Sequence, residues 1–120
     1  KADIGYRRML EIDRHITQTT GKPATVVASE DILADPEGML RSLCGALGMK
    51  FDPAMLAWKT GPRAEDGVWG RHWYDAIWKS TGFSKPESTA LPDIPAELAL
   101  IEAQALPAYE AMAARRLRAG

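Results

Sequence analysis

The feature that most constrains the fold of this sequence is one short run of apolar, β-branched residues among segments of helical character. The run is Ala24-Thr25-Val26-Val27-Ala28, and Gly21 and Pro23 precede it. β-Branched side chains favour extended backbone, and the run lacks the strict polar and apolar alternation of a strand with one face in water. We therefore predict that residues 24–28 form the one strand of this chain, buried on both faces as in a parallel sheet.

A lone strand cannot complete a sheet, so this prediction has a consequence for partners. Both edges of the strand would present backbone N–H and C=O groups that other strands must satisfy. We expect a homodimer, or pairing with a missing N-terminal half. The sequence begins with Lys1 rather than Met, which is typical of a processed N-terminus or of a piece of a longer protein.

The rest of the chain is predicted to be mostly helical, within a single domain over residues 1–120. Apolar residues recur at three- and four-residue steps in four segments, 3–20, 36–47, 68–78 and 96–117. Asp35 followed by Pro36 combines an N-cap residue with a proline at the first helical position, and Asp52-Pro53 predicts a further short helix in the same way. Pro107 is expected to kink or divide the last helix. The stretch 80–95 is predicted to be an extended connection.

The composition excludes several classes of protein. Fifteen Lys and Arg against sixteen Asp and Glu give a net charge of −1, whereas nucleic-acid binders usually carry a large basic excess. No apolar run approaches the length of a membrane span and no signal peptide is visible, so we expect a cytoplasmic protein. Cys44 is the one cysteine, which excludes an internal disulfide. His15 and His72 lack partners at a metal-ligand spacing, so no metal site is expected.

The segment with the most chemical potential is rich in tryptophans and cations. Its tryptophans are Trp69, Trp73 and Trp78, and its basic residues are Arg63, Arg71, His72 and Lys79. Cations beside aromatic rings suit an anionic aromatic ligand such as a nucleotide. The alternative is that tryptophans at helical spacing belong to the core. Two interpretations are open for Glu30 and Asp31, after the predicted strand: catalytic carboxylates or, as we prefer, structural carboxylates that fix the turn into the next helix.

Two blocks of the sequence resemble the C-terminal half of the P-loop sulfotransferases. The first is the run from Val26 to Pro36 with its acidic pair and Asp-Pro helix start, followed by Leu40, Leu43 and Leu47-Gly48. The second resembles a bacterial sulfotransferase-like subgroup whose plant relatives look fused to an aminotransferase-like module; it comprises Asp66-Gly67-Val68-Trp69, His72-Trp73-Tyr74 and Ser80-Thr81-Gly82-Phe83. Leu106-Pro107-Ala108-Tyr109-Glu110 is similar to the closing helix of the family.

The resemblance implies a donor, 3′-phosphoadenosine 5′-phosphosulfate, and a site for it. In the family an N-terminal P-loop and a later Arg and Ser bind the donor phosphates, and both segments would precede Lys1. A late loop with a basic residue, two glycines and a Trp completes the family site, and Arg63, Gly67, Gly70 and Trp73 form a loose version of it. The resemblance thus makes Arg63, Arg71 and Trp73 the candidate cofactor-binding residues, with no catalytic residue named in this chain.

Residues and resemblance together lead to one preferred prediction and one alternative. The fold is expected to be α/β, the C-terminal part of a P-loop, three-layer sulfotransferase fold, mostly helical with one strand. The full protein would transfer a sulfuryl group to a hydroxyl or amine of a small-molecule acceptor, and this chain would be inactive alone. The alternative is a non-enzymatic helical module that binds another protein through its Trp-rich face.

Overall fold

The computed structural model describes residues 5–85 and 93–120. Helices cover about half of these residues, which confirms the mostly helical prediction. The α-helices are α1 Tyr6–Thr20, α2 Ser29–Ala34, α3 Pro36–Ala46, α4 Gly70–Trp73, α5 Asp75–Lys79 and α6 Ala99–Ala113. Short 3₁₀ helices span Pro53–Leu56, Ala64–Asp66 and Ala96–Leu98. Within the described residues, no helix has the length and apolar character needed to cross a bilayer.

The predicted strand at residues 24–28 is wrong, because no strand forms anywhere in the described residues. A strand needs a neighbouring ladder, and the backbone of this segment bonds to other groups instead. The Ala24 N–H donates to Asp13 Oδ1 at 3.0 Å, and the Ala24 carbonyl accepts from Arg115 at 3.1 Å. The Leu117 N–H donates to the Val26 carbonyl at 2.8 Å. Val27 is 38% exposed, so the run is not buried on both faces either.

The described residues divide into two compact units. The first comprises residues 5–29 and 93–118, where α1 packs against α6. Tyr6 and Tyr109 meet edge to face with ring centroids 5.5 Å apart, and Arg115 pairs with Asp13 at 2.7 Å. The helix α6 continues through Pro107, so that proline does not divide it. The side chains buried in this unit are Ala108 and Met112.

The second unit comprises residues 30–85 with 119–120, and its longest helix is α3. The start predicted for α3 is confirmed, because Asp35 accepts a hydrogen bond from the Gly38 N–H at 3.0 Å and Pro36 occupies the first turn. Met39 and Cys44 are buried, whereas Leu47 is exposed, although its helical spacing with Leu40 and Leu43 predicts a buried position.

The region 68–78 forms two short helices, α4 and α5, where the periodicity predicts one. The predicted connection over 80–95 lies partly outside the described residues. In the described part of this connection, Gly82 forms an isolated antiparallel bridge with Ala57. This bridge brings the segment after Pro53–Leu56 beside the segment after α5, and a cleft lies between the two.

Candidate functional site

The candidate site is a cleft of about 370 Å³ in the second unit. The lining consists of three large apolar side chains, two cations, one carboxylate and a glycine, namely Trp58, Ile77, Trp78, Lys59, Arg63, Asp66 and Gly61. Its volume lies at the small end of the roughly 300–1,000 Å³ typical of ligand pockets. The apolar walls and the few charged groups are the usual composition of a site for a small molecule.

Backbone hydrogen bonds hold the two walls of the cleft together. The Trp58 N–H donates to the Thr81 carbonyl at 3.0 Å, and the Gly61 N–H donates to the Trp78 carbonyl at 2.8 Å. Gly61 has a φ of 99°, a left-handed conformation that few other residues adopt without strain. The chain can therefore turn at Gly61 directly after Trp58 and Lys59, which keeps both of these residues at the cleft.

Trp58 is held by polar contacts and by aromatic packing. Its indole Nε1–H donates to Ser80 Oγ at 2.9 Å, and the Ser80 hydroxyl donates in turn to the Ile77 carbonyl at 2.7 Å. The Phe83 ring packs edge to face on the Trp58 indole, with centroids 5.4 Å apart. A half-buried indole whose N–H is satisfied and whose ring is packed provides a rigid wall.

Asp66 connects the opposite wall to the loop that carries Arg63. One oxygen, Oδ2, accepts from the Arg63 backbone N–H at 2.8 Å and from the Trp78 indole Nε1–H at 2.7 Å. The backbone hydrogen bond from Arg63 lowers the pKa of Asp66 below its ordinary value of 3.8, and the Trp78 hydrogen bond lowers it further. Asp66 is therefore ionised at neutral pH, with its charge directed at two N–H donors.

Gly70, the first residue of α4, allows this helix to lie close to Asp66 and Trp78. It is buried, and a Cβ atom placed on it would lie 2.9 Å from Asp66 Cβ and 3.1 Å from Trp78 Cζ2. The first distance is shorter than real Cβ contacts and the second is tighter than most of them, so the neighbouring atoms would have to move. The close approach of α4 to Asp66 and Trp78 thus requires a residue without a side chain.

The structure separates the three candidate residues that the sequence predicts. Arg63 lines the cleft, whereas Arg71 and Trp73 lie on α4 and are not among the lining residues. Trp73 is 74% exposed and Trp69 is 68% exposed, so the interpretation of these two tryptophans as core is wrong. Trp78 is half-buried and forms part of the cleft wall.

Sequence reasoning did not identify Trp58, Lys59 and Asp66 as site residues. Trp58 lies twenty residues before Trp78 in the sequence, and the pairing of Ala57 with Gly82 brings Trp58 and Lys59 beside it. Asp66 was noted within the Asp-Gly-Val-Trp block, but its role depends on two donors that only the folded loop supplies. The available signal is that Trp58 and Trp78 each stand directly before a lysine, Lys59 and Lys79.

The arrangement is suited to binding rather than to proton transfer. The described lining residues include no histidine, cysteine, serine or threonine, so none of them is a typical nucleophile or a base that titrates near neutral pH. They carry two cations against one carboxylate that is already hydrogen-bonded. Elsewhere in the described residues, no group of three His, Cys, Asp or Glu side chains could hold a metal ion.

Comparison with known proteins gives a family match and two plant relatives. The family profile described as Sulfotransferase domain matches residues 14–116. The Branched-chain-amino-acid aminotransferase-like proteins 2 and 1 of Arabidopsis thaliana are 39% and 40% identical to this chain over 85 residues. The aligned region is 71% of this chain but 15% of either plant protein. No solved structure matches.

Proposed function

This chain belongs to the sulfotransferase domain family, and from that membership we propose that it forms part of a sulfotransferase. The proposed enzyme transfers a sulfuryl group from 3′-phosphoadenosine 5′-phosphosulfate to a hydroxyl or amine of a small-molecule acceptor. In this proposal the chain contributes the C-terminal part of a P-loop, three-layer α/β domain. The cleft between Trp58 and Trp78 binds part of the nucleotide.

The observation that carries the proposal is the position of Arg63 at a cleft with tryptophan walls. A guanidinium forms strong, directional hydrogen bonds to phosphate oxygens, and Lys59 adds a second positive charge. Indole walls favour a flat aromatic ring. An anionic aromatic ligand matches this lining, and a cleft of about 370 Å³ suits a portion of the nucleotide rather than the whole donor.

In the reaction, these residues bind and orient rather than transfer protons. The nucleotide, when bound, supplies the sulfuryl group. Arg63 and Lys59 hold negative charge, and the apolar side chains exclude water, which strengthens the electrostatic attraction. Asp66 fixes the loop of Arg63 and the ring of Trp78 relative to each other through one oxygen.

We also propose that the 120-residue chain does not transfer sulfate by itself. Its sequence contains no Gly-rich phosphate loop. In P-loop enzymes the backbone amides and the cation of that loop stabilise the charge on the leaving phosphate, which is the main catalytic contribution. Purified chain incubated with the sulfate donor and a panel of phenols and amines should give no sulfated product. Turnover that a single substitution in the cleft abolishes would contradict this proposal.

A binding experiment tests the cleft with a matched pair of variants. Adenosine 3′,5′-bisphosphate is titrated into the wild-type chain, Arg63→Ala and Arg71→Ala, and the heat of binding is measured. Loss of one charge-assisted contact weakens binding by about tenfold in Arg63→Ala, since such bonds contribute roughly 1.5–3 kcal/mol. Arg71→Ala removes the same charge from a residue outside the cleft, so its affinity stays within about twofold of wild type.

Equal losses in the two variants would mean that only the total charge matters, and would contradict a site at Arg63. A larger loss in Arg71→Ala would move the site to α4, where the sequence also places a candidate. Circular dichroism of both variants checks that the helices are retained.

Self-association through residues 24–28 is part of the same proposal. Val27 is exposed, and packing of this apolar segment against its copy would remove the Val27 side chain from water. Light scattering on wild-type chain should therefore give a dimer, and Val27→Lys should shift it toward monomer. Ile12→Lys is the control, because Ile12 is another exposed, β-branched residue of the first unit. A wild-type monomer at high concentration, or equal effects of the two variants, would contradict dimerisation through this segment.

A second candidate function, protein binding through the Trp-rich face, is supported by the exposure of that face. Val68, Trp69 and Trp73 are all more than two-thirds exposed, and tryptophans in solvent are typical of interaction surfaces. If this is the main function, the chain does not bind adenosine 3′,5′-bisphosphate. A partner protein that co-purifies with it is then lost in Trp69→Ser/Trp73→Ser but retained in Arg63→Ala.

A further inference from the structure

A second concave surface, independent of the nucleotide proposal, lies in the first unit. It is a groove of about 630 Å³ between Tyr6 of α1 and the segment from Asp93 to Tyr109. This volume is in the middle of the range for small-molecule sites. The groove belongs to one compact unit, so its geometry rests on the packing of α1 against α6.

The groove is lined mainly by apolar side chains that the structure leaves accessible. Leu98, Leu106 and Tyr109 lie at helical spacing, and each of these side chains is exposed. The edge-to-face contact of Tyr6 with Tyr109 forms one wall. Accessible apolar area in a concave surface favours a ligand with an apolar body, because binding removes both surfaces from water.

The charged groups of the groove all have the same sign. Asp93 and Glu102 are among its lining residues, and none of the described lining residues is Lys, Arg or His. Two carboxylates at an apolar groove attract a cation and repel an anion. The tyrosine rings add to this preference, since a cation over an aromatic face is attracted by the ring quadrupole.

We propose that this groove binds a small apolar molecule that carries a single ammonium group. The apolar body lies along Leu98 and Leu106, and the ammonium pairs with Glu102 or Asp93 at the rim. A hydrophobic anion of the same shape is disfavoured, which distinguishes this groove from the cationic cleft of the second unit. The binding does not depend on sulfate transfer.

Three probes of one shape and different charge test the proposal on the 120-residue chain. They are 4-phenylbutylamine, 4-phenylbutanol and 4-phenylbutyrate, each titrated while amide and methyl NMR shifts are recorded. The amine should bind most tightly, the alcohol about tenfold more weakly, and the carboxylate more weakly still. The shifted resonances should include Leu98, Leu106 and Tyr109.

Two substitutions of glutamate by the isosteric glutamine test whether the Glu102 carboxylate attracts the ammonium group. Glu102→Gln should weaken binding of the amine about threefold, as expected for a solvent-exposed ion pair, and leave binding of the alcohol unchanged. Glu97→Gln is the control, because Glu97 is an exposed residue of the same segment that does not line the groove. Leu98→Ser should weaken binding of both probes, since it removes apolar contact rather than charge.

Equal affinity for the three probes would overturn the assignment of an ammonium group. Absence of binding for all three, or shifts that lie outside the groove, would overturn the site itself. If Glu97→Gln weakened the amine as much as Glu102→Gln, the preference would come from the total charge of the protein and the proposal would fail.

Discussion

The two units achieve their structures by different means. In the first, two fifteen-residue helices, α1 and α6, pack along each other. In the second, the cleft is surrounded by 3₁₀ turns and by α4 and α5, which have four and five residues. Helices this short do not persist in water by themselves, because nucleation costs more than a few hydrogen bonds return. The cleft must therefore be maintained by tertiary contacts, namely the backbone hydrogen bonds between its walls and contacts of its side chains.

The side-chain contacts that maintain the cleft are few and polar. The two indoles of the cleft each donate to one oxygen, Trp58 to Ser80 and Trp78 to Asp66. In the first unit an ion pair joins Asp13 of α1 to Arg115 after α6, beside the packing of α1 against α6. We therefore expect substitutions at the cleft to change both its shape and its stability, and substitutions at the Asp13–Arg115 pair to have the larger effect on stability.

The largest effect is expected from Asp13→Ala in the first unit. The Asp13 side chain is 14% exposed, pairs with Arg115 and accepts the Ala24 N–H. Its removal leaves a half-buried guanidinium and a backbone donor without their acceptor, so the free energy of unfolding should fall by about 3 kcal/mol. Denaturant titration followed by circular dichroism measures this change.

Asp75→Ala is the matched control for that substitution. Asp75 pairs with Lys79 along α5, and both side chains are 74% exposed. Such a pair contributes about 0.5 kcal/mol or less, because water screens the charges. If the two variants lost similar stability, the Asp13 pair would be an ordinary surface contact and the contrast between the units would be lost.

A smaller effect is expected from Gly70→Ala in the second unit. The added Cβ would overlap Asp66 Cβ and the Trp78 ring, and such overpacking typically costs about 1–2 kcal/mol. Because the clash falls on the cleft wall, binding of adenosine 3′,5′-bisphosphate should weaken as well. Thermal unfolding and calorimetric titration measure the two changes.

Gly45→Ala makes the same glycine-to-alanine change, but it is expected to raise stability rather than lower it. Gly45 lies in α3, and a Cβ placed there meets nothing within 4 Å. Alanine in an exposed helix interior is more favourable than glycine by roughly 0.5–1 kcal/mol, so this variant should be more stable than wild type. Destabilisation by both alanines would indicate that backbone freedom rather than the clash is responsible at Gly70.

The smallest effect concerns the dependence of stability on pH at the cleft. Hydrogen bonds from Arg63 and Trp78 lower the pKa of Asp66 in the folded state below the ordinary 3.8. Its stabilising contribution is therefore complete above that value and is lost as the pH falls through the lowered pKa. The stability difference between wild type and Asp66→Asn should shrink as the pH is lowered below 3.8.

Trp78→Phe offers a check on that assignment. It removes one of the two donors to Asp66, so the folded-state pKa of Asp66 moves back toward 3.8, and the acid-induced loss of stability should be smaller and complete at a higher pH than in wild type. Denaturant titration followed by circular dichroism, repeated at several pH values, measures this loss in both proteins. A difference between wild type and Asp66→Asn that does not change with pH would contradict the role of the ionised carboxylate.

The helix starts and ends were predictable because their causes are local. Asp35 and Pro36 begin α3 through a side-chain hydrogen bond and a preset φ, both decided within one turn. Gly21 ends α1 in the left-handed conformation for a similarly local reason. Family membership was also legible in the sequence, since its motifs are short and contiguous.

Tertiary contacts decided what depends on residues far apart in the chain. Residues 24–28 have strand propensity, but Asp13, Arg115 and Leu117 take hydrogen bonds that a strand would give to a neighbour. Arg63 and Arg71 are equally plausible cations by composition. The pairing of Ala57 with Gly82 and the hydrogen bonds of Asp66 place Arg63 at the cleft, whereas Arg71 lies outside it. Periodicity defines which side chains share a helix face, whereas burial depends on what packs there, and that is a property of the folded chain.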